Sequence, residues 1–229
     1  MQERVLYEDN HLIFISKKTG EIVQGDKTGD KPLSEDVKSF LKTKYKKTGN
    51  VFCGVIHRID RPVTGLVMFA KTSKGLERMN ALFQKKEIQK TYVCIVRNAP
   101  PEKSGKISAW LRKNEKQNKS YAFNKEEKHA LFSELEYKLI GSSDRFYLLE
   151  INPLTGRHHQ IRCLLAHIGC PILGDVKYGD KRPLPDKSIA LHAYKIAFTH
   201  PISGEAIEVF APLPDYAPWS YFSDTKKAD

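Results

Sequence analysis

Residues 54–66 read GVIHRIDRPVTGL, a stretch that sets a dense group of charged and imidazole side chains between two apolar runs. Such density is unusual for a surface loop. Alternation from Ile56 sends Arg58 and Asp60 to one side if the segment stays extended until Pro62 ends it. A carboxylate among guanidinium groups stays ionised, so Asp60 can act as a nucleophile or a base. An ordinary loop salt bridge explains the same residues equally well.

Residues 154–162 read LTGRHHQIR and form a second dense polar segment. They run into apolar residues at helical spacing, and Gly169 is placed to end that helix. Polar groups at the start of a helix can aim at a phosphate or a base, because helix N-termini favour anions. Arg162 lies beside Ile161 in the apolar stripe. This position predicts a partly buried guanidinium that needs a carboxylate partner.

The pattern outside these segments predicts an α+β fold. Strands are expected at 12–16, which a turn over 17–20 closes, and at 91–96, 131–140, 146–151, 189–199 and 206–210, with helices after Pro32 and over 73–86. Ser34 and Ser73 are the candidate helix caps. The polar segment 102–129 fits either short hairpins or a mobile arm. Because strands outnumber helices without a repeating βαβ order, we expect one domain, 1–223, built on a mixed, largely antiparallel sheet flanked by helices. A flexible tail is expected over 224–229.

Composition narrows the partners and the chemistry. Lys and Arg total 38 against 27 Asp and Glu, a net charge of +11, which attracts polyanions such as nucleic acid. The four cysteines lie far apart without the spacing of a zinc or redox motif, and no glycine-rich nucleotide loop is present, so neither metal nor cofactor is expected. With neither a secretory signal nor an apolar stretch of roughly 20 residues, the sequence predicts a cytoplasmic protein without a membrane partner.

The two dense segments together resemble a known family. His57-Arg58-Ile59-Asp60 followed by Thr64-Gly65 is similar to the His-Arg-Leu-Asp…Ser/Thr-Gly motif of the RluA family of RNA pseudouridine synthases. Residues 155–162 are similar to that family's Thr-Gly-Arg-x-His-Gln-Ile-Arg motif. Further signatures match in order at Lys90-Thr91-Tyr92, 169–175 and 191–193, so the resemblance covers nearly the whole chain. Two departures are Lys17-Lys18, where the family usually has Lys-Pro, and Ile59 for the commoner Leu.

The resemblance implies an isomerase that detaches uracil from ribose carbon 1, turns the base and rejoins the sugar to carbon 5, without a cofactor or metal. It assigns the catalytic carboxylate to Asp60, the ion pair that orients this carboxylate to Arg162, and contact with the uracil to Tyr92. Arg58 is the candidate to fill the gap left by an extruded uridine, although a phosphate contact is the simpler alternative. Further substrate contacts are expected from His57, Thr64, Arg157 and Gln160. Arg157 and the lysines of 103–128 are expected to hold backbone phosphates.

The expected partner is RNA, ribosomal or transfer, rather than DNA, and the expected state is a monomer. Many relatives carry a small RNA-binding module ahead of the catalytic domain, whereas here the matched domain begins near residue 5, so we expect the domain itself to find its target. Two other functions stay open. A non-catalytic RNA-binding module would have no need of Asp60, Tyr92 and Arg162. A hydrolase of a nucleoside glycosidic bond would need two carboxylates and a water at that bond.

Overall fold

The computed structural model describes residues 1–26 and 28–226, and the side chains among them up to residue 222. The chain divides into two compact units, each assembled from two stretches of sequence. The first unit consists of Met1–Lys90 and Ala193–Pro212, and the second consists of Thr91–His192 and the chain from Leu213 onward. Residues 227–229 of the expected tail lie outside the described residues.

The elements follow the chain in an order that does not alternate strand and helix. The strands are β1 Val5–Glu8, β2 Leu12–Lys17, β3 Gly54–Val55, β4 Thr64–Ala70, β5 Gln89–Val96, β6 Ser104–Asn114, β7 Lys119–Phe123, β8 Leu131–Ser142, β9 Tyr147–Pro153, β10 Leu191–Thr199 and β11 Ala206–Phe210. The helices are α1 Leu33–Lys44, α2 Ser73–Lys85 and α3 Gln160–His167, with short 3-10 segments at Gln2–Arg4, Val176–Tyr178 and Trp219–Lys226.

In the first unit the strand order is β1-β2-β4-β10, with β3 paired to β4 and β11 paired to β10. Strand β4 is buried along its whole length, which explains why its sequence is apolar without alternation. Its core is an apolar cluster that includes Leu12, Phe14, Leu66, Met68, Met79, Ile196 and Phe198. Burial of these side chains is the main force that holds the strands and α2 together.

Both predicted caps of the first unit's helices are wrong by one residue. Helix α1 begins at Leu33 rather than after Ser34, because the amides of Leu33 and Ser34 donate to the carbonyls of Ile22 and Val23. These backbone bonds satisfy first-turn donors that a side-chain cap would otherwise satisfy. Helix α2 is capped by Thr72, whose hydroxyl accepts from the amide of Gly75 at 3.0 Å.

In the second unit the strand order is β5-β9-β8-β6-β7, with antiparallel pairing between β5 and β9, β9 and β8, β8 and β6, and β6 and β7. The predicted pairing of residues 131–140 with 146–151 is confirmed. Of the two alternatives for residues 102–129, the structure has the hairpin, formed by β6 and β7.

Helix α3 starts later than the sequence predicts. Residues 154–159 form a loop, and His159 adopts a left-handed backbone conformation with φ of 51° immediately before the helix. The predicted end is confirmed, since Gly169 has φ of +79° just past the last turn. The polar residues before Gln160 therefore belong to a loop rather than to a helix N-terminus.

The predicted α+β class with a largely antiparallel sheet is confirmed. All four cysteines are free thiols, and Cys94, Cys163 and Cys170 are buried. Over residues 1–26 and 28–226, no helix has the length and apolar character that crossing a bilayer requires.

Candidate active site

A buried lysine fixes the backbone that follows Asp60. Lys17 ends β2 and is only 1% exposed, although the sequence predicted a turn from this residue. Its ammonium donates to the carbonyls of Lys18 at 3.0 Å, Arg61 at 3.1 Å and Val63 at 2.7 Å. Burial lowers the pKa of Lys17 to about 8, while the nearby carboxylates of Glu21 and Asp60 act in the opposite direction.

These bonds hold the loop between β3 and β4 in one conformation. Ile59 is buried and anchors the loop, whereas its neighbour Arg58 is exposed and Asp60 is partly exposed. The Asp60 carbonyl accepts from the amide of Val63 at 3.0 Å, closing a tight turn after the aspartate. A partly exposed carboxylate on a fixed backbone suits a group that must meet a substrate, because little ordering remains to be done on binding.

The Thr64-Gly65 pair has a steric reason. Gly65 has φ of +110°, and a side-chain carbon there would lie 2.3 Å from the carbonyl oxygen of Ala193 on β10. Only glycine permits this close approach of two backbones. Thr64 is buried at the start of β4, and whether it contacts substrate stays a prediction.

His57 makes structural contacts in the first unit. Its Nε2 accepts from the Met68 amide at 3.2 Å, and its ring lies 5.6 Å from that of Phe83. Burial, helped by the positive charge of Lys90, lowers the pKa of His57 to about 3, so the ring stays neutral at ordinary pH. These contacts fix the start of the Asp60 loop, and the substrate contact of His57 stays a prediction.

In the second unit, Arg162 has the carboxylate partner that its position predicted. Its Nε lies 2.7 Å from one oxygen of Asp175, and its Nη2 lies 2.9 Å from the other. Both side chains are buried, with relative exposures of 5% for Arg162 and 1% for Asp175. Asp175 was matched only as part of residues 169–175, and nothing in the sequence indicated that it would bind Arg162.

Tyr178 forms a second support for Arg162. The guanidinium carbon lies 5.0 Å from the centre of the Tyr178 ring, within the range of a cation–π interaction. The phenol oxygen accepts from the Ser120 amide at 2.8 Å and lies 2.9 Å from Nδ1 of His159. Burial raises the pKa of Tyr178, so the phenol stays neutral and its proton can bond the histidine. Sequence reasoning did not identify Tyr178.

Gln160 organises the loop before α3. Its Oε1 accepts from the Thr155 hydroxyl at 2.7 Å and from the Arg157 amide at 3.0 Å, while its Nε2 donates to the Glu134 carbonyl at 3.0 Å. The side chain is buried, so these bonds hold the loop in shape. Its predicted contact with substrate stays a prediction.

The remaining predicted residues of the second unit present accessible side chains. Arg157 is exposed, and its Nε donates to the Phe132 carbonyl at 3.3 Å. Tyr92 is partly exposed on β5 between the buried residues Thr91 and Val93, and it pairs with Ile151 of β9. Within the described part of the chain, His, Cys, Asp and Glu side chains do not gather into a group that could hold a metal ion.

Comparison with known proteins agrees with the motifs. The sequence pattern of the family described as RNA pseudouridylate synthase matches residues 11–167. The chain is 31% identical over 216 residues to the ribosomal large subunit pseudouridine synthase C of Rickettsia bellii, covering 93% of this chain and 69% of the relative. It is 34% identical over 221 residues to the protein of the same name from Buchnera aphidicola, covering 93% and 68%.

A solved structure has the same fold. The human RNA pseudouridylate synthase domain containing 4 superimposes with a TM-score of 0.78 at 21% identity, covering 93% of this chain and 89% of that protein. The family match, the relatives and the motifs that resemble the RluA type lead to one conclusion. This chain belongs to the RNA pseudouridylate synthase family and is an RNA isomerase of the RluA type.

Proposed function

We propose that this protein isomerises specific uridines of ribosomal or transfer RNA to pseudouridine, with Asp60 as the nucleophile and with the target base extruded from its helix. The observation that carries the proposal is the anchoring of the Asp60 loop, in which buried Lys17 binds the backbone carbonyls of Arg61 and Val63. A reactive carboxylate held this way needs no reordering before it reacts.

The reaction breaks the bond between ribose carbon 1 and uracil nitrogen 1 and forms a bond from the same carbon to uracil carbon 5. The proton on carbon 5 leaves, and nitrogen 1 gains one, so the atoms balance. An ionised carboxylate can add covalently to the sugar or the base, or it can stabilise the charge that develops during cleavage. Either step assigns Asp60 the central role.

Two further residues are proposed to act with Asp60. Tyr92, accessible on β5, is proposed to pack on the uracil near the proton that leaves carbon 5. Arg162 is proposed as the counter-ion that keeps Asp60 ionised. Its bonds to Asp175 occupy Nε and Nη2, which leaves Nη1 outside that pair for such a role.

Substrate contacts follow from exposure and charge. Arg58 is proposed to fill the space of the extruded uridine, since its side chain is exposed beside the buried anchor Ile59. Arg157 and the lysines of 103–128 are proposed to hold phosphates, and the net charge of +11 supports a phosphate-dominated, salt-dependent affinity. His57, Thr64 and Gln160 remain proposed contributors to the same site.

The names of the relatives favour ribosomal RNA of the large subunit over transfer RNA as the substrate. We propose a cytoplasmic monomer on the same grounds as before, since both RNA classes are found there. Mapping pseudouridine site by site in RNA from cells with and without the protein would identify the modified position. Sites missing only from transfer RNA would contradict the ribosomal assignment.

One assay separates the proposed reaction from its alternatives. Uridine-containing RNA is incubated with the purified protein, digested to nucleosides and analysed by chromatography with mass spectrometry. Isomerisation converts uridine to a nucleoside of unchanged mass, a glycosidic hydrolase releases free uracil, and a non-catalytic binding module leaves the RNA unchanged. Release of uracil, or no change in any RNA class, would overturn the proposed function.

A further inference from the structure

The sheet formed by β7, β6 and β8 has one covered face and one accessible face. Ile107, Ala109 and Leu111 of β6 point to the covered face and are buried. Helix α3 lies against β6 and β7 there, with the Cys163 thiol 3.3 Å from the Ser120 carbonyl. Because side chains alternate along a strand, the residues between these belong to the opposite face.

That opposite face carries a row of aromatic rings across three strands. Trp110 of β6 pairs with Phe123 of β7 on one side and with Phe132 of β8 on the other. Directly opposed residues of antiparallel strands share a face, so the three rings form one continuous group, here called the aromatic row. The Trp110 and Phe132 rings meet edge to face at 5.7 Å, and Phe132 is 43% exposed.

Cationic groups and a further ring extend the aromatic row. Arg112 pairs with Tyr121 in the next register position, its guanidinium carbon lies 4.7 Å from the Phe123 ring centre, and Tyr121 is 40% exposed. The ammonium of Lys119 lies 5.5 Å from the Tyr121 ring centre. A concave site of about 430 Å³, here called the hairpin pocket, is lined by Arg112, Lys113, Asn114, Tyr121 and Phe123. Its volume lies within the range of sites that bind small molecules.

The charge around the hairpin pocket favours an anionic partner. Residues 102–129 hold eight Lys or Arg against four Glu. The ion pairs at the pocket are exposed: Arg112 lies 3.6 Å from Glu127, and Lys113 lies 2.7 Å from Glu115. Exposed pairs of this kind contribute little to stability, so phosphates can replace the carboxylates at small cost.

We propose that the aromatic row and the hairpin pocket bind single-stranded RNA that flanks the target uridine, an inference that rests on the proposed function. Bases stack on Tyr121 and the aromatic row, while Arg112 and Lys113 hold the phosphates between them. Aromatic side chains on an open sheet face beside cations are the means by which proteins bind unpaired RNA, because every base has a π-face. A second copy of this chain, also strongly basic, would bring like charges together at this surface.

The test separates base stacking from phosphate binding. Affinity is measured by fluorescence anisotropy for a labelled oligoadenylate of roughly ten nucleotides and for an abasic ribose-phosphate chain of the same length. Wild-type protein should bind the oligoadenylate more tightly. Tyr121→Ala and Phe132→Ala should each weaken oligoadenylate binding about tenfold and abasic binding hardly at all, while Tyr121→Phe should keep the wild-type preference. Tyr221→Ala, which removes an exposed ring elsewhere in the unit, is the matched control and should bind as wild type.

Several results would overturn the inference. These are an equal loss on both probes, no loss on either, or a dimer in sedimentation that Tyr121→Ala dissociates. Thermal unfolding of each variant guards against misfolding, and quenching of Trp110 fluorescence by oligoadenylate gives a second measurement without any substitution, since Trp219 is buried. Absence of isomerisation with the base preference intact would overturn the proposed reaction alone. Normal isomerisation without the base preference would overturn only this site.

Discussion

Arg162 and Asp175 form a buried ion pair in which Nε and Nη2 of the arginine each bind one oxygen of the carboxylate, at 2.7 and 2.9 Å. This two-pronged geometry fixes the plane of the guanidinium as well as its position. The Tyr178 ring beside it restricts movement further. An arginine held so firmly can orient a second anion, which is the role we propose for it.

Replacing Asp175 by Asn should destabilise the protein. The substitution keeps the volume and leaves the Arg162 charge buried without its counter-charge, for which the expected loss is about 3–5 kcal/mol in the free energy of unfolding. Urea denaturation measures this loss. The control is Glu136→Gln, which breaks the exposed pair with Lys106 and should cost less than about 1 kcal/mol. Similar small losses in both variants would contradict a structural role for the buried pair.

Asp60→Asn should abolish isomerisation while folding and RNA affinity stay close to wild type. The amide preserves shape but can neither add to a carbon centre nor stabilise positive charge as a carboxylate does. Pseudouridine formation, RNA binding and urea denaturation are measured on the same preparation. Asp30→Asn, at an exposed aspartate that pairs with Arg61, is the control and should turn over normally. Retained turnover in Asp60→Asn would remove the nucleophile assignment.

Arg58→Ala should reduce activity on structured RNA more than on an unstructured oligonucleotide. Extruding a stacked base costs a few kcal/mol, so losing the side chain that fills the gap should slow the structured substrate by about tenfold or more. Initial rates on the two substrates give the ratio. Arg61→Ala, which removes a neighbouring exposed arginine side chain, should lower both rates to a similar extent. An equal loss on both substrates in Arg58→Ala would indicate a phosphate contact instead.

Lys17 should make unfolding free energy depend on pH in the alkaline range. Its pKa is about 8 in the folded protein against an ordinary 10.5, so between these values the unfolded chain binds more protons than the native one. The contribution of Lys17 to stability therefore rises with pH across this window, by at most about 1.4 kcal/mol per pH unit. In Lys17→Met this contribution is absent. The measurement is the difference between wild type and variant from pH 7 to 10.5 by urea denaturation, and parallel curves would contradict the lowered pKa.

Gly65→Ala should be severely destabilising. The added carbon would lie 2.3 Å from the Ala193 carbonyl oxygen at a φ of +110°, so backbone must move on one strand or the other. We expect a loss of about 3–5 kcal/mol, at the upper end of single substitutions, or failure to fold. Gly49→Ala, at a glycine with open space around it, should change stability by less than about 1 kcal/mol. Thermal unfolding of the two variants measures the contrast.

Local pattern was enough to find most elements, because strands and helices declare themselves through the spacing of apolar residues. The strand at Leu12 and the helix after Pro32 follow from that spacing, and the end of α3 follows from Gly169. It misplaced both helix caps, because the carbonyls of Ile22 and Val23 come from outside the helix they satisfy. It also placed the start of α3 too early, since Gln160 binds the preceding loop through contacts with Thr155 and Glu134.

The sequence by itself determined the fold class, the family and the type of reaction, since these depend on residue types in a fixed order along the chain. Only the tertiary structure decided that Lys17 is buried against the carbonyls of Arg61 and Val63, that Asp175 is bound to Arg162, and that rings of three strands form one row. The reason is physical: burial and strand register depend on residues far apart in sequence, and a pattern of neighbours carries no record of which distant segment will pack against it.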